Sequence, residues 1–201
     1  MFDQKAELSI VQSTIEALKA NGIEAVLVSR SEVKEKVLSF IPENSEVMTM
    51  TSVTLDELGI SDAINNSDKY IGLKPKLYGM NKETQAKDMK IVGAVHEFAL
   101  GSVHAVTEDG QVVIASLTGS QIPAYAYTAD NVIWVIGTQK IVKDLTQAME
   151  RINTHTLPLE SQRAREAYGV PGSFVAKTLI FSKEIIPNRV KIVFVDDVIG
   201  Y

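Results

Sequence analysis

The stretch from Val92 to Val142 constrains the fold more than any other part of the chain. Within it, Val112 to Ala115 and Val132 to Ile136 are short apolar runs that contain β-branched residues and end in turn residues. Such runs are typical of buried strands. Their nearly continuous apolar character indicates burial on both faces. We therefore predict that both runs are inner strands of a mainly parallel sheet flanked by helices.

Helical patterns alternate with strand-like runs along the rest of the chain. Short strands are expected at residues 24–28 and 46–50, and helices over Asp3 to Ala20, Ser31 to Ile41, Lys140 to Ile152 and Pro158 to Tyr168. The last of these helices is charged and is expected to be largely exposed. Ser67 to Asp88 lacks periodicity, so we predict a loop there with one helical stretch near residues 82–87. This alternation implies an α/β layer structure.

Two β-rich runs finish the chain, Phe174 to Phe181 and Val190 to Val195. Pro187 and Asn188 lie between them and indicate a turn, which predicts an antiparallel pair at a sheet edge. No internal repeat, low-complexity segment or linker interrupts the sequence. We therefore expect one α/β domain over residues 1–201.

Composition excludes several classes of function. The chain has 20 basic and 25 acidic residues and a net charge of −5, so nucleic acid is not an expected partner. It has no cysteine, so it binds no iron–sulfur cluster through its own thiolates and forms no disulfide. His96, His104 and His155 lack close spacing, and no metal site is expected.

The N-terminus and the hydropathy pattern indicate a cytoplasmic protein. Asp3 and Glu7 stand where a signal peptide would require a basic and then an apolar stretch. No apolar run approaches the ~20 residues that a membrane span requires. We therefore expect no membrane span.

Small polar residues follow three of the predicted strands. Hydroxyls, backbone N–H groups at a helix start and a lysine are groups that bind phosphates or carboxylates. Because parallel strands deliver their carboxyl ends to one edge, we expect these segments to line one cleft that binds a small anionic metabolite. The candidate ligand-binding residues are Thr51, Ser52, Thr54, Thr118, Gly119, Ser120, Gln121, Gly137, Gln139 and Lys140. The alternative is that the hydroxyls at residues 51–54 only cap a helix and that residues 118–121 only form a tight turn.

Gly119 would allow a ligand to approach the backbone, or would permit a positive φ in a turn. Under the first interpretation, a β-branched residue at this position blocks anion binding. Glu108 and Asp109 are candidates for a general acid or base. However, Asp109-Gly110 is also a strong signal for a hairpin turn.

Several segments in order resemble the lactate-utilization (LUD) domain family. They are TSVTLDELGI at 51–60, VHAVTEDGQVV at 103–113, the Thr118-Gly119-Ser120 step, VIWVIGTQKIVKDLTQAMERI at 132–152 and VKIVFVDDVIGY at 190–201. The resemblance implies an open α/β fold similar to the ribose-phosphate isomerase, glucosamine-phosphate deaminase and CoA-transferase group. It also implies a role near the oxidation of lactate to pyruvate, beside iron–sulfur partner proteins.

The chain departs from the family pattern in two places. Some members have an acidic residue before the Thr-Gly step, where this chain has Leu117. One branch carries a cysteine cluster before the last strands, where this chain reads REAYGVPGSFV at 165–175. These departures favour an accessory or small-anion-binding subunit in lactate oxidation, with no identified cofactor. The alternative is a freestanding isomerase or acyl transferase acting on a sugar phosphate or CoA ester, with Glu108 or Asp109 as acid or base.

Overall fold

Two β-sheets organise the computed structural model, which describes residues 2–201. Within these residues the chain forms ten strands: β1 (Glu24–Val28), β2 (Glu46–Thr49), β3 (Ile71–Gly72), β4 (Phe98–Gly101), β5 (Ala105–Thr107), β6 (Val112–Ser116), β7 (Asn131–Gly137), β8 (Ile141–Val142), β9 (Lys177–Phe181) and β10 (Val190–Val195). Six of them form one sheet and four form the other.

The larger sheet has the strand order β1-β10-β7-β4-β2-β3, and every neighbouring pair in it is parallel. β7 lies between β10 and β4, and its residues from Val132 onward are buried. The prediction that Val132 to Ile136 is an inner parallel strand is confirmed. The fold is an α/β fold with a mainly parallel sheet, as the sequence predicted.

The smaller sheet has the order β8-β5-β6-β9, and β6 is antiparallel to both of its neighbours. The prediction that Val112 to Ala115 belongs to the parallel sheet is therefore wrong, although the run is an inner strand. Its two faces pack into different clusters: Val112 and Ile114 lie in the main core, whereas Val113 and Ala115 pack in a cluster with Ala148. Burial on both faces gave this antiparallel strand the pattern of a parallel one.

The two C-terminal strands do not pair with each other. β9 lies beside β6, whereas β10 lies between β1 and β7 in the larger sheet. The expected antiparallel edge pair is wrong because the connection between these strands crosses from one sheet to the other. Burial explains the separation: β10 is almost entirely buried, and most of β9 is exposed.

Eight α-helices cover the sheets within residues 2–201: α1 (Leu8–Ala20), α2 (Val33–Leu38), α3 (Val53–Glu57), α4 (Ile60–Asn65), α5 (Leu73–Gly79), α6 (Ala86–Ala94), α7 (Leu145–Arg151) and α8 (Leu157–Tyr168). α1 and α8 match predicted helices. α5 lies within the region predicted as loop, and α6 begins near its end. Over the described residues, no helix has both the length and the apolar character needed to cross a membrane.

The helix predicted over Lys140 to Ile152 begins later in the structure. Thr138–Lys140 is a 3-10 turn, and β8 then pairs with β5. Asp144 starts α7, because its carboxylate accepts a hydrogen bond from the backbone N–H of Gln147 at 2.9 Å. As a consequence, Lys140 lies in a turn between strands instead of on a helix surface.

Candidate functional site

A cavity of about 890 Å³ lies between the two sheets and helices α5, α6 and α8. Its walls come from the ends of β2 and β6, from the segments that follow β4 and β7, and from the segment after α8. Such a position outside the carboxyl ends of strands is where open α/β sheets bind ligands. The volume is within the roughly 300–1,000 Å³ that ligand pockets occupy.

Side chains from all three predicted segments reach this cavity. The predicted residues in its lining are Thr51, Ser52, Thr54, Thr118, Ser120, Gln121 and Lys140. Gly119, Gly137 and Gln139 do not line it. The three strand ends therefore converge, even though one of them belongs to the antiparallel sheet.

Lys140 is the most unusual of these residues, because only 1% of it is exposed. Its Nζ donates to Thr54 Oγ1 at 3.3 Å, Ser102 Oγ at 3.1 Å and the backbone oxygen of Tyr201 at 3.0 Å. Among residues 2–201, no Asp or Glu side chain lies within 4.0 Å of this nitrogen to form an ion pair. Burial, reinforced by the charge of Arg151, lowers the pKa of Lys140 to about 7.

Gln139 holds the C-terminal segment in place instead of facing the cavity. Its Nε2 donates to the backbone oxygen of Ile199 at 2.8 Å and to that of Gly200 at 3.2 Å. Gly137 leaves room for this side chain, because a Cβ at that position would lie 2.1 Å from Gln139 Oε1. The two residues predicted to bind ligand therefore position the C-terminal segment, whose Tyr201 lines the cavity.

The turn at Gly119 does not leave its backbone N–H open to an anion. That N–H donates to Ser116 Oγ at 2.9 Å, and the residue has φ +83°, which favours glycine. The structure therefore places Gly119 as a turn residue and not as a point of anion approach. The hydroxyls of Thr118 and Ser120 face the cavity but bond to each other at 3.1 Å.

Ser52 caps α3, because its Oγ accepts a hydrogen bond from Leu55 N at 3.3 Å. Ser52 therefore has the helix-capping role that was the alternative to ligand binding. α3 contains only five residues, so its terminus offers little dipole. Thr54 matters more for the cavity, since its hydroxyl contacts both Lys140 and Ser102.

Glu108 and Asp109 lie in the hairpin turn between β5 and β6 and do not line the cavity. Gly110 has φ +85°, and the backbone oxygen of Asp109 accepts a hydrogen bond from Asn21 Nδ2 at 3.0 Å. The hairpin interpretation of Asp109-Gly110 holds. The structure therefore places neither carboxylate in the lining of this cavity.

Two charged cavity residues, Glu160 and Arg163, were missed by the sequence reading. Arg163 binds Glu160 through both its Nε and Nη2, at 2.8 and 2.6 Å, and the hydroxyl of Tyr201 donates to Glu160 Oε2 at 2.8 Å. Burial opposes ionisation of Glu160, but these hydrogen bonds outweigh it and lower the pKa of the carboxyl. The only sequence signal was their spacing of three residues on a predicted helix, which also describes an ordinary surface pair.

His104 forms another part of the wall. Its Nδ1 accepts a hydrogen bond from Ala115 N at 3.1 Å, which assigns the proton of the neutral ring to Nε2. Burial, together with the charges of Lys140 and Arg151, lowers the pKa of His104 to about 3. The imidazole is therefore a neutral hydrogen-bonding group at physiological pH.

Arg151 adds a second buried cation behind the wall. It is fully buried, and one guanidinium nitrogen donates to the backbone oxygen of His104 at 2.5 Å and to Thr156 Oγ1 at 2.9 Å. Its Nε and Nη2 have no hydrogen-bond partner among the described residues. Burial lowers the pKa of Arg151 to about 10, so the guanidinium stays charged at neutral pH.

The charge of the lining is positive despite the net charge of the chain. Among the described residues it includes four cationic side chains, Lys74, Lys90, Lys140 and Arg163, and one carboxylate, Glu160. Arg163 already neutralises that carboxylate. The unneutralised charge is therefore that of Lys74 and Lys90, together with Lys140 when it is protonated and Arg151 close behind. Such a cavity attracts anions.

The fold and the cavity define an open α/β protein with a cationic ligand cavity at its strand ends. The LUD domain family model matches residues 11–195, and the chain belongs to this family. A DUF162 family protein from Deinococcus radiodurans has a similar fold in its crystal structure, with a TM-score of 0.60 and 12% sequence identity. The alignment covers 96% of this chain and 99% of that one. A comparison with curated proteins gave no match.

Proposed function

We propose that this protein is an anion-binding subunit that holds the carboxylate or phosphate group of a small metabolite at Lys140. The observation that carries the proposal is a buried amine in a cavity wall that has no Asp or Glu partner among residues 2–201. Buried charges in proteins are normally paired or bound to a ligand, because an unpaired one is strongly disfavoured. An anion in the cavity supplies the missing charge.

The surroundings of Lys140 suit this role. Ser102 and Thr54 provide hydroxyl donors within hydrogen-bond distance of its Nζ, so an oxyanion there receives several hydrogen bonds at once. Lys74 and Lys90 line the same cavity from α5 and α6 and add positive potential along the route of an incoming anion. Arg163 is already engaged by Glu160, which leaves Lys140 as the principal charged ligand group.

Family membership supports the physiological part of the proposal. We place the protein as an accessory subunit in the oxidation of lactate to pyruvate, in contact with iron–sulfur proteins of that system. The partner claim is tested separately, by asking whether the chain co-purifies with iron–sulfur proteins when it is produced with the lactate-oxidising proteins of its own source.

An anion screen tests the binding proposal. Thermal unfolding is followed with lactate, pyruvate, sugar phosphates and CoA esters, for the parent and for Lys140→Met. A ligand present at a hundred times its Kd is expected to stabilise the parent by about 2.7 kcal/mol. Lys140→Met is expected to lose this stabilisation because the ligand's counter-charge is gone.

Lys143→Met is the matched control, since Lys143 is exposed, lies three residues away and does not line the cavity. It should respond to ligand as the parent does. If every anion tested leaves all three proteins unchanged, or stabilises Lys140→Met as strongly as the parent, the binding proposal is wrong.

The second candidate is a freestanding enzyme, and one observation favours it. A lysine with a pKa of about 7 is about half deprotonated at pH 7, and its neutral form can accept a proton as a general base does. In that case Lys140 is the general base, because Glu108 and Asp109 lie in the hairpin turn and do not line the cavity. Exchange of substrate C–H protons in D₂O, followed by proton NMR on sugar phosphates and CoA esters, tests this. Exchange that Lys140→Met abolishes supports the enzyme; no exchange with any substrate argues for the binding subunit.

A further inference from the structure

The cavity is much larger than its cationic end requires. Lys140, Ser102 and Thr54 form a compact polar group, but the cavity occupies about 890 Å³. A lactate-sized acid fills only a small part of that volume. Much of the remaining wall is apolar and includes Met50, Leu77, Met89, Ile152, Leu157 and Val175.

Methionine is over-represented in this wall. Three of the six methionines of the chain line it, namely Met48, Met50 and Met89. The unbranched thioether side chain adapts its shape and is common on surfaces that accept varied apolar groups. A phosphate or carboxylate alone would leave these methionine side chains without an apolar group to contact.

Helix α6 gives an independent reason to expect an apolar ligand. None of its nine residues is buried, although the helix supplies Met89, Lys90, Gly93 and Ala94 to the cavity. α5 buries only Leu73 and supplies Leu77 to the same wall. These two helices therefore present Leu77, Met89 and Ala94 to the cavity, and a ligand with an apolar body would remove these side chains from water.

We infer that the ligand is an amphipathic anion, with its head group at Lys140 and an aliphatic or aromatic body against α5, α6 and the methionines. The inference rests on the proposed function, because Lys140 holds the head group. It names the substrate class more narrowly: an organic acid or acyl phosphate with a body of about six carbons or more. Lactate and free phosphate share only the head group and are expected to bind weakly.

A chain-length series of straight monocarboxylates, from acetate to decanoate, tests the substrate class by isothermal titration calorimetry. Each methylene transferred from water to the apolar wall is expected to tighten binding about fourfold, until the cavity is filled. Lys140→Met is expected to bind the long acids far more weakly than the parent. Equal uptake of decanoate by both proteins would indicate non-specific hydrophobic binding and overturn the inference.

The outcomes separate the two proposals. If acetate and lactate bind in a Lys140-dependent manner and octanoate binds no more tightly, the anion site stands and the amphipathic ligand is wrong. If no acid binds at any length, both the anion site and the amphipathic ligand fail. A rising affinity that depends on Lys140 supports both.

Met89→Ala is expected to weaken octanoate binding several-fold while leaving acetate binding unchanged. Ile91→Ala is the matched control, since Ile91 lies on the same helix, is 50% exposed and does not line the cavity. Hydrogen exchange gives a readout that does not rely on affinity: octanoate, but not acetate, should protect residues 73–94. Equal effects of the two variants, or equal protection by both acids, would exclude a body contact with α6.

Discussion

Replacing Lys140 with methionine is expected to stabilise the protein at neutral pH, although it removes the proposed anion site. Lys140 is 1% exposed, and its amine has no Asp or Glu partner among residues 2–201. The reduction of its pKa from 10.5 to about 7 measures how strongly the fold disfavours the charge. Each pKa unit corresponds to about 1.4 kcal/mol. Part of this gain is offset because Thr54, Ser102 and the Tyr201 oxygen lose a donor. We expect a net increase on the order of 2 kcal/mol.

The gain in stability from Lys140→Met is expected to change with pH. Between pH 7 and 10.5, Lys140 is protonated in the unfolded chain but largely neutral in the folded protein. The unfolded state therefore binds more protons, and the contribution of Lys140 to the free energy of unfolding rises with pH through this window, by up to about 1.4 kcal/mol per unit. The advantage of Lys140→Met should therefore be largest near pH 7 and shrink toward pH 10.

Urea unfolding followed by circular dichroism at pH 7, 8.5 and 10 measures this difference. Other titrating groups are common to parent and variant, so they cancel in the comparison. Lys143→Met should track the parent at all three pH values because that side chain is exposed. A stability difference between parent and Lys140→Met that stays constant over this range would mean that Lys140 is not a destabilised buried cation.

Removal of Arg189 is expected to cause the largest loss of stability. Its guanidinium pairs with Glu184 at 2.7 Å, with 3% and 6% of the two side chains exposed. It also donates to the backbone oxygens of Ala129, Ala124 and Tyr125 at 2.9 to 3.1 Å. These contacts tie the crossing between β9 and β10 to the turn that leads into β7.

Arg189→Met leaves the Glu184 carboxylate buried without its partner and is expected to reduce the free energy of unfolding by about 3–5 kcal/mol. Combining it with Glu184→Gln should recover part of the loss, because the uncompensated charge is then gone. Lys191→Met is the control: its ion pair with Glu24 is at 4.0 Å and partly exposed, and such a pair contributes about 0–1 kcal/mol. Denaturant unfolding measures all four proteins. A loss below about 1 kcal/mol for Arg189→Met would refute the structural role of the pair.

The parts of the fold that the sequence predicted correctly are those with a local pattern. β7 is a continuous apolar run, and α8 is bounded by Pro158 and Gly169, so each carries its own signal. The local sequence of β6 does not determine which of the two sheets this strand joins. Its Val113 face is covered by α7 and its Ile114 face by the main core, and no pattern within β6 distinguishes that arrangement from a parallel sheet.

The same distinction applies to the cavity. Thr54 and Lys140 follow strands of the parallel sheet, so topology brings them toward one edge, whereas Thr118 follows β6 and reaches the cavity through the packing of the smaller sheet. Tyr201 is held at the cavity by contacts distant in sequence, including the bond from Gln139 to the backbone of Ile199, sixty residues away. Glu160 enters through tertiary packing of a helix whose composition indicates exposure. Contacts of this kind have no local signature that a single sequence could reveal.

The most direct test of the central claim is the pKa of Lys140 with and without a bound anion. It can be measured by NMR on protein labelled at the lysine ε-carbons, with the Lys140 signal assigned by its loss in Lys140→Met. The free protein should show this lysine titrating near 7. Saturating octanoate, or phosphate as a second probe, should raise the pKa by more than one unit, because the anion supplies the counter-charge that the fold lacks. If octanoate or phosphate saturates the protein while Lys140 titrates at an unchanged pH, the anion lies elsewhere and the assignment of Lys140 is wrong.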